Sequence, residues 1–434
     1  MRKILVIAIL LASVSALYSQ ENWIKYPNNP VLKRDTVIAN LPNDLIAISD
    51  PWIIKEGVVY KMWYTCGGFN YPSDSINFRS RICYCESSDG IAWTKYSGNP
   101  VLDVSYNGGW DSLGVETVSI LIDSVAPSNQ RYKMWYAGQY FNSYRYDFGY
   151  AYSADGKSWT KHPSQVLQVG NSTAWDGGFI EGPSVLKDGS IYKMWYTGYD
   201  LTNGKVNTGY ATSSDGIVWT KYSGNPVLHI GSVGWDTYKI QDPQVVKIGN
   251  IYHMWYGGDS QDSIYGQETG YAYSSDGINW TKSLLNPILK KGTAGLWDAN
   301  TASFPAVILD NGILKMWYTG KDVDPTPPGS LNYYWELGYA TDSTFAVGIN
   351  SINDKKEFLL YPNPFSSATT LHIDHLLHNA ALTVYNSFGQ IVKQIKNISG
   401  QTVAFSRDNL PSGMYILRLT EENKIYTDKL VITD

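Results

Sequence analysis

The sequence predicts an all-β protein, a five-bladed β-propeller closed by an N-terminal strand and followed by a small C-terminal β-sandwich. Three observations lead there. The 434 residues include 16 Trp, 34 Tyr and 11 Phe, or 14% aromatic, with 39 Gly and only 17% charged residues. That balance suits half-buried strands and tight turns rather than amphipathic helices. The triplet Met-Trp-Tyr recurs at Met62, Met134, Met194, Met254 and Met316. Each of the first four triplets is followed by a segment of the form Gly-Tyr-Ala-x-Ser-x-Asp-Gly-x-x-Trp-Thr, at residues 149–160, 209–220 and 270–281, with a variant at 83–94.

Composition also excludes some functions. A hydrophobic fraction of 43% rules out wholesale disorder. The formal net charge of −5 leaves no concentrated basic face, so nucleic acid is not an expected partner.

Residues 1–19 read as a secretory signal peptide. Arg2 and Lys3 precede an apolar stretch over 4–12, and Ser15, Ala16 and Ser19 offer small residues for cleavage. The stretch is too short for a transmembrane helix, and no later run is long and apolar enough to span a bilayer. The mature protein is expected to be secreted or held at the cell surface.

Residues 20–348 carry the repeat. Each unit of about 60 residues holds four short segments rich in Tyr, Trp, Val and Ile, bounded by Gly, Asp, Asn and Pro, which is the pattern of a propeller blade. The fifth unit stops at Gly338-Tyr339-Ala340-Thr341-Asp342, before its Trp. Asn22-Trp23-Ile24-Lys25-Tyr26 and Asn29-Pro30-Val31-Leu32 match Trp219-Thr220-Lys221-Tyr222 and Asn225-Pro226-Val227-Leu228. The chain start therefore supplies the missing strand and removes an open sheet edge. Residues present in every unit are read as packing and turn chemistry.

The three cysteines fall in the first unit. Cys66 and Cys83 replace Gly138 and Gly149 of the second unit on neighbouring strands. In an exported protein such a pair is expected to be bridged, with Cys85 as the competing partner. So few Cys and His predict no metal site of their own.

Residues 349–357 read as a polar linker. Residues 358–434 alternate apolar and polar over 371–373, 381–385, 391–395, 414–419 and 429–432, divided by turns at Asn386-Ser387-Phe388-Gly389 and Pro411-Ser412-Gly413. The segments Tyr361-Pro362-Asn363-Pro364-Phe365, Gly389-Gln390 and Leu410-Pro411-Ser412-Gly413-Met414-Tyr415 closely resemble the C-terminal sorting domain of the Bacteroidetes type IX secretion system. The resemblance implies export across the outer membrane with that machinery as partner. A sugar-binding sandwich is the alternative reading of the same module.

Function should reside where equivalent inner positions break the repeat. One position reads Ser49, Glu116, Glu181, Gln241 and Ser303; the next reads Asp50, Thr117, Gly182, Asp242 and Phe304. Asp50, Glu116, Glu181 and Asp242 thus start four inner strands and are expected to converge on one axis. Converging carboxylates raise one another's pKa, and folding does not require the arrangement. Glycoside hydrolysis does use such a set, with one protonated acid and one carboxylate as base or nucleophile. A cation site made by the same oxygens and a solvated channel rim are the other readings. Trp52, Phe179, Tyr238, Gln241 and Phe304 lie at or beside these positions as candidate substrate contacts.

Asp50-Pro51-Trp52-Ile53-Ile54-Lys55 before Val59-Tyr60-Lys61-Met62, and Glu181-Gly182-Pro183 before Ile191-Tyr192, resemble the five-bladed glycoside hydrolases. That group includes arabinanases, β-xylosidases and related invertases. The resemblance implies that Asp50 is general base or nucleophile and Glu181 general acid, acting on a carbohydrate without a required cofactor, a central-channel Ca²⁺ being left open. It also implies a second-blade Asp that tunes the acid. Thr117 stands there instead, with Glu116 one residue earlier. Glu116 or Asp242 is expected to take that role. A sialidase is excluded, because the Asp-Gly-x-x-Trp motif is one residue short of an Asp box and neither inner position holds an Arg. A non-catalytic glycan-binding or adhesion propeller is the alternative from another class, and a monomer is expected in either case.

Overall fold

A computed structural model describes residues 22–34, 47–70, 74–106, 108–141, 143–260, 266–322, 335–343, 358–386, 391–421 and 424–433. The signal peptide (1–19), the linker (349–357) and the Ser387-Phe388-Gly389 part of one turn lie outside them. The chain divides into two compact units, Met1–Ile349 and Asn350–Asp434.

In the first unit, β1 (Ile24–Lys25) opens the described chain, and antiparallel meanders follow. The first meander is β2 (Ala47–Glu56), β3 (Val59–Asn70), β4 (Asp74–Ser87) and β5 (Thr94–Lys95). The second is β6 (Gly114–Ile122), β7 (Tyr132–Gln139), β8 (Tyr146–Ser153) and β9 (Trp159–Lys161). The third is β10 (Ile180–Asp188), β11 (Ile191–Tyr199), β12 (Val206–Ser213) and β13 (Thr220–Lys221). The fourth is β14 (Lys239–Ile248), β15 (Ile251–Asp259), β16 (Glu268–Ser274) and β17 (Thr281–Lys282). The last is β18 (Thr301–Asp310), β19 (Ile313–Lys321) and β20 (Trp335–Asp342), and it takes β1 as its outer strand, Ile24 opposite Thr341 and Lys25 opposite Ala340. The architecture is all-β and propeller-like, and the one helix among the described residues is a single 3₁₀ turn at Ser128–Gln130.

The repeated residues explain how the meanders join. In each Ser-x-Asp-Gly turn the Asp carboxylate accepts two backbone N–H groups, as Asp276 does from Ile278 and Asn279 at 2.8 Å. The following glycine has φ +81° at Gly277, and a Cβ there would lie 2.7 Å from Cζ2 of Trp195 in the preceding meander. The close approach lets the Trp195 indole N–H donate to Gly277 O at 2.7 Å. Trp63, Trp135 and Trp317 repeat the bond to Gly156, Gly216 and Gly90, so the last meander is tied to the first. Parallel pairing of Ala47 with Trp335 makes the same closure. Each Trp-Asp aspartate accepts from a Lys and a Tyr; Asp176 takes Lys221 at 2.5 Å and Tyr196 at 3.1 Å. Lys25 of β1 does this for Asp298 at 2.5 Å, and Trp23 packs edge-on against Trp255 as Trp280 does against Trp195. Cys66 and Cys83 are joined by a disulfide between β3 and β4, and Cys85 is buried two residues on.

The second unit differs from the expected sandwich. Its strands β21 (Phe358–Tyr361), β22 (Ala368–Tyr385), β23 (Ile391–Ser406), β24 (Gly413–Glu421) and β25 (Lys424–Ile432) form one connected five-stranded sheet, nearly closed in a barrel-like way. The runs at 371–373 and 381–385 belong to the single strand β22. Register shifts between His372 and Leu382 bend it, as bulges do. One strand can then serve both sides of a core built on Leu371, Leu382, Phe405, Leu417 and Leu430.

Candidate active site

The site is made by one irregularity repeated in every inner strand. The β2–β3, β6–β7, β10–β11, β14–β15 and β18–β19 ladders all break register at the same place, after Ser49, Glu116, Glu181, Gln241 and Ser303. The next residue is left-handed each time: Asp50 at φ 50°, Thr117 at 44°, Gly182 at 58°, Asp242 at 49° and Phe304 at 54°. Left-handed backbone costs a non-glycine residue about 1–2 kcal/mol, and such strain gathers at functional sites. These five residues line one cavity with the prolines and Val118 that follow them. It encloses roughly 310 Å³, its open mouth included.

The strained N–H groups are held from the neighbouring meander. Asp50 N donates to Thr319 Oγ1 at 3.1 Å, Thr117 N to Thr65 Oγ1 at 3.1 Å and Asp242 N to Thr197 Oγ1 at 2.8 Å. The second meander has Ala137, and the fourth Gly257, where the other three have that Thr. In the second, Gly182 N donates instead to Thr117 Oγ1 at 3.1 Å. Thr117 therefore supplies the hydroxyl that Ala137 lacks. Gly182 is required by space, because a Cβ would lie 2.4 Å from Asp242 Oδ1.

The four carboxyl groups influence one another. Asp50 and Asp242 line the cavity, while Glu116 and Glu181 stand one residue before its lining positions; by surface area each is only partly buried, yet surrounding protein strips most of its hydration. Burial, then the charges of Glu116 and Asp50, push Glu181 up to about 8, with Lys239 opposing. Burial and Asp50 push Glu116 up to about 7, against hydrogen bonds from Ser80 and Tyr146. Asp242 is raised well above its ordinary value by burial and then by the charges of Glu181, Asp50 and Glu116. Both its oxygens are buried without a hydrogen-bond donor among the described residues; the nearby Gln241 amide opposes the rise without bonding geometry. Asp50 is raised by burial alone, opposed by Ser49, whose hydroxyl donates at 2.8 Å, and by Thr65. No group of three or more His, Cys, Asp or Glu among the described residues is placed to hold a metal ion.

Asp242→Asn is expected to stabilise the protein at neutral pH. A carboxyl whose folded pKa is raised contributes stability that is fully present below its unfolded pKa and lost as pH rises. As pH rises above the unfolded value the wild type progressively loses that contribution and the variant does not, so at pH 7 the variant should melt on the order of a few degrees higher. The gain should vanish toward pH 4, which thermal scans across pH would check.

The other candidate residues separate. Trp52 lines the cavity, but its indole N–H donates to Ile120 O at 2.9 Å and the ring belongs to the core. Phe304 lines the cavity and meets Trp335 at 5.8 Å. Gln241 is buried with its amide 3.5 Å from Gln267. Phe179 stacks on Tyr199 at 4.9 Å and edge-on to Tyr146 at 6.1 Å. Tyr238 lies outside the cavity lining, beneath two lysines.

Sequence reasoning passed over the third strands. The residue three before each Gly-Tyr-Ala (Ser80, Tyr146, Val206, Gln267, Trp335) breaks the repeat as the inner positions do. Ser80 and Tyr146 bond Glu116, and burial with the charges of Glu116 and Glu181 pushes the Tyr146 hydroxyl far up. The same search for repeat-breaking positions, applied to the third strand, would have found them.

Residues 123–298 match the family model of the glycosyl hydrolases family 32 N-terminal domain, and residues 359–433 match the secretion system C-terminal sorting domain. An uncharacterized protein of Mycobacterium tuberculosis is 28% identical over 164 residues, 36% of this chain and 52% of that protein. An ulvan lyase of Nonlabens ulvanivorans is 29% identical over 99 residues, 23% of this chain and 17% of that one. The chain thus spans about half the length of the first relative and less of the second. Among solved structures, a thermostable family-43 glycoside hydrolase superposes with a TM-score of 0.51 at 18% identity, covering 71% of this chain and 92% of that one. A glycosyl hydrolase of Bacteroides ovatus gives 0.53 at 16%, covering 73% and 92%. A protein of the GH130 family of mannoside phosphorylases, which contains glycoside hydrolases that target β-1,2 mannosidic linkages in Candida mannan, gives 0.53 at 16%, covering 73% and 93%. At these identities the structural likeness speaks to fold. The first unit is thus a propeller of the glycoside hydrolase fold, matched over 123–298 by the family 32 N-terminal domain, and the second is a secretion system C-terminal sorting domain.

Proposed function

We propose that the protein is an exported glycosidase acting on an oligo- or polysaccharide from a five-bladed propeller, one blade per meander, closed by β1. The observation that carries this reading is the clustering of four carboxyls, with Glu181 raised to about 8 by burial and then by its neighbours' charges, and Asp50 raised by burial with no neighbouring charge adding to it. Glu181 is the general acid that protonates the leaving oxygen. Asp50 is the base or nucleophile on the other side of the bond. The charges of Glu116 and Asp50 hold the acid's proton in place by repulsion, Tyr146 orients Glu116, and Asp242 serves as a further modulator or substrate ligand. The sorting domain supports delivery by type IX secretion to the cell surface or the medium, and no described helix is long and apolar enough to cross a membrane.

The test is hydrolysis of a panel of arabinans, xylans, fructans and mannans by wild type, Glu181→Gln and Asp50→Asn. Cleavage lost in both variants supports the enzyme; binding without turnover, unchanged by either substitution, would support a glycan-binding propeller instead. The pH profile is a separate check. The acid must be protonated and the base ionised, so activity should fall as pH rises through about 8. Removing the charge of Glu116 with Glu116→Gln should move that alkaline limb downward.

A further inference from the structure

We infer that Lys239 and Lys205, gathered over the Tyr238 ring, form a subsite for an anionic sugar, carboxylate or sulfate, in the leaving-group position beside Glu181. The inference rests on the glycosidase reading for the name of that position. Lys239 opens β14 three residues before Asp242, and Lys205 comes from the neighbouring meander just before β12. Their ammonium groups lie 5.4 and 5.1 Å from the Tyr238 ring centroid.

Their lack of carboxylate partners sets them apart. Lysines of the outer strands are committed, as in Lys161–Asp111 at 2.6 Å, Lys221–Asp176 at 2.5 Å and Lys282–Asp236 at 2.5 Å. Among the described residues Lys239 makes no ion pair or hydrogen bond, and Lys205 donates only to Thr237 O at 3.2 Å, which leaves two of its three donors. Asp259 lies opposite Lys239 in the ladder and is buried, but it pairs with neither lysine. Both lysines stay partly exposed, so a ligand can reach them.

Position along the bond follows from the strand register. Lys239 stands opposite Val206 in the parallel β12–β14 pairing, and Val206 holds in the third meander the place that Tyr146, the partner of Glu116, holds in the second. Lys239 therefore stands on the side of Glu181, whose carboxyl feels its charge, where the leaving group is protonated. The carboxyl cluster repels an anion less there, because burial and neighbouring charges raise Glu181, to about 8, and Asp242, which favours their neutral forms. Charge-assisted hydrogen bonds from two ammonium groups then favour a charged sugar over its neutral counterpart.

The experiment compares polygalacturonate and glucuronoxylan with their carboxyl-reduced forms, and a sulfated galactan with its desulfated form. Affinity electrophoresis reads binding and reducing-end release reads cleavage, using the full chain. The expected result is a preference of about tenfold or more for one charged form over its neutralised partner. The pair showing it tells carboxylate from sulfate. Lys239→Met should collapse that ratio toward one, and Lys239→Arg should restore it. A lysine that merely tuned Glu181 would change cleavage of both forms alike and leave the binding ratio intact. No preference for any charged form, or a ratio that survives Lys239→Met and Lys205→Met together, would overturn the inference. A binding preference without cleavage would leave the subsite standing and remove the glycosidase reading instead.

Discussion

Glu181→Gln should lower kcat on an unactivated glycoside by about 10²–10⁴-fold, the usual contribution of a positioned general acid. Gln preserves the shape and polarity of the side chain, so the loss reports the proton. The leaving group gives the sharper readout. An aryl glycoside, whose phenolate leaves without protonation, should lose far less than an alkyl or sugar glycoside. Asp50→Asn should lose both alike, because attack on the sugar is needed whatever departs. The assignment of the acid rests on Glu181 being raised by burial and by two neighbouring carboxylates, and on Gly182 next to it leaving room for Asp242. Equal loss on aryl and alkyl substrates in Glu181→Gln would move the acid elsewhere, with Glu116, raised to about 7, the next candidate.

Trp195→Ala should cost about 3–5 kcal/mol, the range for a large buried aromatic truncated to alanine. Trp195 is fully buried, tilted against Tyr210 at 5.3 Å and Tyr252 at 5.6 Å, and edge-on to Trp280 at 6.1 Å. Its partners belong to the third and fourth meanders, so the cavity would open at a seam. Urea unfolding of the wild type and variant would measure the loss. Trp255 supplies an internal comparison. It is equally buried, but its indole N–H has no acceptor among the described residues. The last meander reads Asp342-Ser343-Thr344-Phe345 where the others have Ser-x-Asp-Gly, so the accepting glycine is missing. The same seam replaces an acid–tyrosine bond, such as Asp123 with Tyr192 at 2.8 Å, by packing of Ile248 and Leu314. Phenylalanine at 195 should therefore cost about 1 kcal/mol more than phenylalanine at 255, the net worth of one hydrogen bond. Equal costs would mean that the Trp–Gly bonds contribute nothing to joining the meanders.

Much of this was legible in the residues because the chain repeats itself. Met-Trp-Tyr, Asp-Gly-x-x-Trp and Trp-Asp each recur at intervals of about 60 to 72 residues, and each plays a single structural role. The first places an indole that bonds across a seam, the second a turn held by its Asp, and the third a buried carboxylate shared by Lys and Tyr. The N-terminal strand was legible for the same reason, since Trp23 and Lys25 copy residues that the last unit lacks. Divergence from the repeat then pointed at Asp50, Glu116, Glu181 and Asp242. The C-terminal module has no internal repeat to compare, and alternation alone could not show that residues 371–373 and 381–385 lie on one bent strand, because a bulge resets the pattern within the strand.

What the sequence determined by itself is the periodic part: an all-β chain of repeated four-stranded units with its irregular positions at the inner strand starts. Local patterns of spacing and alternation suffice for that, since they depend on neighbours along the chain. Tertiary structure alone decided the chemistry of those positions. Thr117 became a stand-in for the hydroxyl missing at Ala137, Tyr146 a partner of Glu116, and Lys239 the cation beside Glu181. Each is a relation between residues on different strands, separated by 20 or more positions in the chain. The pKa of a carboxyl depends on burial and on charges across that gap, so it is fixed only when the ring closes.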